Sequence, residues 1–153
     1  MKIAFSNDHA AAEIRDAIVQ YLRDLGHEVV DYGERDGRSV DYPDKALPAV
    51  RDLAEGKVDR AVLVCGSGIG MSIVANRFPG VRCAMVTDEW AAEMSRRHND
   101  ANCIALRARE QSLETNKRIL DTWLNTEFEG GRHKPRVEKI EAVSGNAHGT
   151  AKQ

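Results

Sequence analysis

The chain has 153 residues, 42% of them hydrophobic and 30% charged, which is the size and make-up of one globular domain. Its 22 Lys and Arg against 24 Asp and Glu leave a net charge of -2, without the basic excess of a nucleic-acid binder. No apolar run reaches the roughly 18 residues of a membrane span, and the opening MKIAFSNDHA is too briefly apolar for a secretory leader.

The apolar pattern switches repeatedly between short runs and helical stripes. Residues 2–6 (KIAFS) read as a strand, and Asp8 caps a helix with a stripe of Ile14, Ala17, Ile18, Tyr21, Leu22 and Leu25, closed by Gly26. Residues 28–32 (EVVDY) predict a second strand. A polar loop then leads into a helix from Tyr42-Pro43 to about Glu55, closed by Gly56. The third strand, 60–64 (RAVLV), enters Cys65-Gly66-Ser67-Gly68-Ile69-Gly70, and a helix to about Asn76 follows. Residues 81–86 predict a fourth strand, Thr87 or Asp88 caps a helix to about Arg97, residues 103–106 predict a fifth strand, and 112–125 the last long helix.

Strands that alternate with helices and are almost continuously apolar imply a parallel sheet covered on both faces. The expected architecture is a three-layer α/β/α sandwich around a five-stranded parallel, Rossmann-like sheet. A single domain is expected over residues 1–141, with 142–153 (AVSGNAHGTAKQ), small and polar, as a disordered tail. Ligands of such sheets bind beyond the carboxyl ends of the strands. That rule selects Asn7-Asp8-His9, residues 65–70, Thr87-Asp88 and the stretch Arg107-Ala108-Arg109.

Three glycines alternate in the 65–70 loop, where backbone N–H groups and the following helix start can cradle an anion. The loop lacks the lysine of a P-loop and departs from the dinucleotide-binding glycine pattern. A merely tight strand-to-helix turn is the alternative. Cys65 favours the anion-binding reading, because a thiol at the end of a strand facing such a loop occupies a place where a thiolate is stabilised. Cys83 and Cys103 read as small buried apolar residues. Three cysteines without a CxxC pair match neither a disulfide framework nor a zinc site, and they fit a cytoplasmic protein with reduced thiols. Asp8 and His9 fall at the same sheet edge as Cys65. His98 closes the fourth helix and by itself reads as a charge partner of that helix end; His27 and His148 read as surface or tail residues. Arg132-His133-Lys134 and Arg136 by themselves read as a solvated basic run, whereas beside a glycine-rich loop the two arginines can clamp a phosphate.

Five segments taken together, Asn7-Asp8-His9-Ala10, Val40-Asp41-Tyr42-Pro43-Asp44, Cys65-Gly66-Ser67-Gly68-Ile69-Gly70-Met71-Ser72, His98-Asn99-Asp100-Ala101-Asn102 and Asn125-Thr126-Glu127-Phe128-Glu129-Gly130-Gly131-Arg132-His133, closely resemble the type B ribose-5-phosphate isomerases. That family includes allose-6-phosphate and galactose-6-phosphate isomerases. The likeness runs in order from Met1 to about Ile140. Asn7 and Ala11 depart from it where Ser and Gly are more usual, and Arg107 where Gly is.

The resemblance implies an aldose–ketose isomerase working through a cis-enediolate. In it, Cys65 takes the proton from C2, the amides of Gly66, Gly68, Ile69 and Gly70 stabilise the enediolate, Ser67 relays protons between O1 and O2, and Asn99 bonds the same oxygens. It further implies His98 as the ring-opening acid/base, Asp8 and Tyr42 against the sugar, and His9, Arg109, Arg132 and Arg136 on the phosphate. No metal or cofactor is implied. The family works as homodimers, often paired into tetramers, in which the fourth-helix histidine and the C-terminal arginines reach a neighbour's Cys65. Ribose 5-phosphate and ribulose 5-phosphate are the expected pair; the alternatives are allose 6-phosphate or a tetrose phosphate with the same chemistry, and a non-catalytic phosphosugar-binding module.

Overall fold

The computed structural model describes residues 1–146. Five strands, β1 (Lys2–Asn7), β2 (Glu28–Asp31), β3 (Arg60–Cys65), β4 (Cys83–Met85) and β5 (Cys103–Arg107), form one parallel sheet in the order β2-β1-β3-β5-β4. Six α-helices accompany them: α1 (Ala12–Asp24), α2 (Tyr42–Ala54), α3 (Ile69–Ala75), α4 (Glu89–Asn99), α5 (Leu113–Asn125) and α6 (Lys134–Asn146).

Alternation along the central strands divides the core in two. Ile3, Phe5, Val62, Val64, Ile104 and Leu106 face one side, against Ile18 and Leu22 of α1, Ala92 of α4, and Ile119 and Trp123 of α5. Ala4, Ala61, Leu63, Cys65 and Ala105 face the other, against Ala46, Ala49 and Val50 of α2 and Met71 and Ala75 of α3. Both faces being covered is why the middles of these strands are apolar at consecutive positions rather than at every second one. Each large side chain so buried contributes about 1.5–3 kcal/mol.

Three of the helical starts are fixed by side-chain caps. Asp8 accepts from the Ala10 amide at 2.9 Å and opens a short 3-10 turn (His9–Ala11) that leads into α1. Asp88, not Thr87, caps α4 by accepting from Ala91 at 2.7 Å, and Ser112 caps α5 through Thr115 at 3.1 Å.

Two elements differ from the expectation. β4 is limited to Cys83–Met85, because Val81 and Val86 are buried in the flanking turns without extending the three-residue ladder on β5. The C-terminal basic segment folds as α6, which has no long apolar stripe; of its residues Val137 is buried, while Val143 is 71% exposed. Its anchor is instead polar, Glu141 pairing with Arg82 and accepting from the Gly80 amide at 3.1 Å. α6 therefore continues past the boundary at residue 141, and residues 147–153, with His148, lie outside the described residues. No helix among the described residues is long and apolar enough to cross a membrane.

Candidate active site

At the carboxyl edge of the sheet lies an open cleft of about 450 Å3, lined by Asp8 and His9 after β1, Tyr42 at the start of α2, Cys65, Gly66, Ser67, Ile69 and Gly70 after β3, and Arg107 and Arg109 at the end of β5. The ladder between β3 and β5 continues past the strands: Ala108 N–H donates to the Cys65 carbonyl at 2.9 Å and Arg109 N–H to that of Gly66 at 3.1 Å. This pairing lays the Arg109 side chain over Gly66, with Cδ at 3.5 Å from where a Cβ would stand.

Cys65, the last residue of β3, is 4% exposed, and the Gly68 amide donates to its Sγ at 3.1 Å. Gly68 reaches this position because its φ is +77°, a left-handed conformation that side chains disfavour. A Cβ on Gly68 would also lie 3.1 Å from the Leu106 carbonyl oxygen. Gly70 is required by closeness instead, since a Cβ there would approach the Tyr42 ring to 2.7 Å. The Ser67 hydroxyl accepts from the Ile69 amide at 3.2 Å, which leaves its own hydrogen to donate into the cleft. α3 is only seven residues long, so the donors here are loop and first-turn amides more than the field of a long helix.

Across the cleft, the Val40 amide donates to His9 Nδ1 at 3.3 Å, which in the neutral ring puts the proton on Nε2, a donor for an anion. Burial pushes the Asp8 carboxyl above its ordinary range, opposed by the Ala10 amide and by the charges of His9 and Arg109. Asn7 holds the loop beneath: its Nδ2 donates to the carbonyls of Asp8 (2.8 Å) and Glu34 (3.0 Å), and its Oδ1 accepts from the buried Arg15 at 3.3 Å.

The remaining expected residues are not in this cleft. α4 runs back against the strands, so His98 and Asn99 come to the amino-terminal edge of the sheet, just before β5 begins at Cys103. Cys65 pairs with Arg107 at the other end of β5, about 13 Å further along at 3.3 Å per residue. Asn99 is exposed and borders a separate hollow of about 380 Å3, where its carbonyl accepts from Arg82 Nε at 3.1 Å. Arg132, in a 3-10 turn (Gly131–His133), and Arg136, on α6, are exposed on this same side.

This second group is organised around a pair the sequence reading passed over. His133 is 4% exposed and stacks on His98, with ring centroids 4.2 Å apart and planes 13° from parallel. Arg132 Nε donates to His133 Nε2 at 3.4 Å, and Glu129 lies 3.8 Å from that nitrogen. Glu129 is itself held by Arg97 Nε and a terminal nitrogen at 3.1 and 2.9 Å, while its amide donates to the Arg97 carbonyl at 3.0 Å. Burial, then the charges of His98, Arg132 and Arg136, hold the His133 imidazole below its ordinary range against the pull of Glu129. The signal for His133 was its spacing of four from Glu129, hidden inside what looked like a plain basic run.

One chain thus carries two separate clusters: a thiol–amide cleft with a cationic rim at one sheet edge, and a histidine–arginine cluster at the other. A parallel α/β sandwich with such a cleft defines a small-anion-binding protein of the doubly wound class, furnished with groups able to move protons. More specifically, the chain belongs to the Ribose/Galactose Isomerase family, whose model matches residues 3–140. Ribose-5-phosphate isomerase B of Escherichia coli is 42% identical over 142 residues, spanning 93% of this chain and 95% of that protein. D-erythrulose-4-phosphate isomerase of Pectobacterium atrosepticum is also 42% identical, over 92% of this chain and 93% of its own length. Among solved structures, Clostridium thermocellum ribose-5-phosphate isomerase B superposes with a TM-score of 0.93 at 43% identity, covering 96% of this chain and 99% of that one.

Proposed function

We propose that this protein is a sugar-phosphate isomerase that interconverts ribose 5-phosphate and ribulose 5-phosphate through a cis-enediolate. The observation that carries the reading is the Cys65 sulfur, held by the Gly68 amide among the cleft-lining residues that include Arg109 and Asp8. A pure phosphosugar-binding module needs no such thiol. The family relation and the ribose-5-phosphate isomerase names of its relatives support the substrate class.

In this reading His9 Nε2 and Arg109 take the phosphate in the cleft, which fixes the distance from the phosphate to C2. Cys65, as thiolate, removes the proton from C2 of the open-chain aldose; the same proton is returned to C1 as the enediolate collapses to the ketose. Negative charge that develops on O1 and O2 meets the amides of residues 66–70. Each well-aimed donor of this kind is worth about 3–4 kcal/mol of transition-state stabilisation. Ser67 passes the hydroxyl proton between the two oxygens, and Asp8 and Tyr42 face the sugar.

Ring opening needs an acid/base at the ring oxygen, and this chain's own His98 is at the wrong edge of the sheet. The protein therefore works as a homodimer in which the partner's His98 and the partner's Asn99 approach the sugar, while the partner's Arg132 and the partner's Arg136 complete the phosphate site. Apolar side chains left open near the cleft, Ile69 (50% exposed), Ile73 (56%) and Trp90 (71%), support a partner covering this side. Three free thiols fit the reducing cytoplasm.

The test is a coupled turnover assay on ribose 5-phosphate. The native protein turns it over, and Cys65→Ala loses at least 1,000-fold in kcat while its melting transition and phosphosugar binding persist, in line with the 10²–10⁴-fold usually supplied by a positioned base. Wild-type turnover in Cys65→Ala would remove the thiol from the mechanism.

A further inference from the structure

Arg107 lines the cleft, and the isomerisation scheme has no use for it. It ends β5 directly opposite Cys65, and paired residues of parallel strands point to the same face of the sheet. Its side chain therefore starts one strand spacing, about 4.8 Å, from that of the thiol residue. It is also tied down at both ends. Nε donates to Gln111 Oε1 at 3.0 Å, Gln111 Nε2 donates in turn to Asn116 Oδ1 at 2.5 Å, and Asn116 Nδ2 donates back to the Arg107 carbonyl at 3.1 Å. Asn116 is fully buried, so the loop of contacts closes on an immobile residue. Arg107 has no carboxylate partner among the described residues, which leaves this chain of amides as its only tether.

We propose that Arg107 is a specificity-determining residue that caps the length of sugar the cleft accepts, favouring four- and five-carbon aldose phosphates over six-carbon ones. The inference rests on the sugar-phosphate isomerase reading and deepens it. Two points of the substrate are fixed in that reading, the phosphate at His9 and Arg109 and the reacting C1–C2 pair at Cys65. Additional carbons between those points have to bow outward, and a long guanidinium side chain beside Cys65 that cannot swing away occupies space they would take. A freely rotating arginine would yield at little cost; one held through Gln111 and Asn116 must break those bonds first. A rigid wall that rejects one extra carbon unit discriminates by about 10–200-fold.

The experiment measures kcat/KM for erythrose 4-phosphate, ribose 5-phosphate and allose 6-phosphate with the native enzyme, Arg107→Gly, Arg107→Lys and Gln111→Ala. The native enzyme is expected to favour the two shorter substrates. Arg107→Gly should raise the ratio of six-carbon to five-carbon kcat/KM by at least tenfold. Gln111→Ala, which frees the arginine without removing it, should shift the ratio the same way by a smaller factor, and Arg107→Lys should stay near the native ratio. A ratio unchanged in Arg107→Gly, or an equal loss on all three substrates, overturns the proposal while leaving the isomerase reading intact. An enzyme that turns over none of the three overturns both.

Discussion

The chemistry of the cleft depends on a few residues whose backbone conformation, rather than their side chains, does the positioning. Gly68 is the clearest of them. A residue at ease with φ near +77° turns its amide onto the Cys65 sulfur, and a Cβ there would crowd Leu106 and Met85 at 3.1 Å. Gly68→Ala is expected to cost about 1–2 kcal/mol of stability from the left-handed conformation alone. It should also lower kcat at least tenfold by moving the amide off Sγ. Denaturant unfolding and the turnover assay check both, and a variant unchanged in each would show that the loop geometry is dispensable. At this scale the sequence was informative about identity and silent about arrangement. The CGSGIG pattern marked the tight turn after β3, and Cys65 the thiol at its entrance. That Gly70 exists for the Tyr42 ring, or that Val40 sets the His9 tautomer, depends on contacts between segments far apart in the chain, which a linear pattern does not display.

At the scale of elements, strands and most helices were legible because the hydrophobic period and the caps agreed. β1, β3 and β5 each hold a short run of consecutive apolar residues, and Asp8, Asp88 and Ser112 cap as their type suggests. α6 was not legible as a helix. It is held by the Arg82–Glu141 ion pair and by the Glu129–Arg97 tether ahead of it, and neither leaves a periodic apolar trace. The same tether buries His133 against His98, which has a consequence for pH dependence. The folded state resists protonating His133, whereas the unfolded chain takes up that proton near the ordinary histidine value of about 6.5. Below that pH the unfolded state binds more protons, so stability is greatest above it and falls as the solution is acidified through it. His27, also held low by burial and by the N-terminal charge, acts in the same direction. His133→Phe keeps an aromatic ring on His98 and removes one of the two contributions. The slope of unfolding free energy between about pH 5 and 7.5 should flatten in this variant relative to the native protein. An identical slope in both proteins would mean that His133 does not titrate differently on folding.

For the molecule as a whole, the parallel topology is what leads the proposed mechanism to a second copy of the chain. Crossover helices return to the amino-terminal edge before each strand begins, so a residue at the end of α4 and a residue at the end of β3 stand at opposite edges of the same sheet. His98, His133, Arg132 and Arg136 form a cluster at the edge away from their own thiol, and in the proposed mechanism the cleft takes an acid/base and part of its phosphate site from a second copy. In that proposal a two-fold dimer supplies both at once, because an isologous contact that brings one cluster to one cleft does so twice. The direct test mixes two inactive chains. Cys65→Ala and His98→Ala are each expected to be inactive on ribose 5-phosphate, one lacking the base and the other the ring-opening group. When equal amounts are dissociated and reassembled together, half of the dimers are mixed, and each mixed dimer has one cleft with neither substitution. Activity should then return to about a quarter of the native value. If mixed dimers form, as native mass spectrometry would register, and activity stays absent, the site is not shared between two copies and the account of its assembly is wrong.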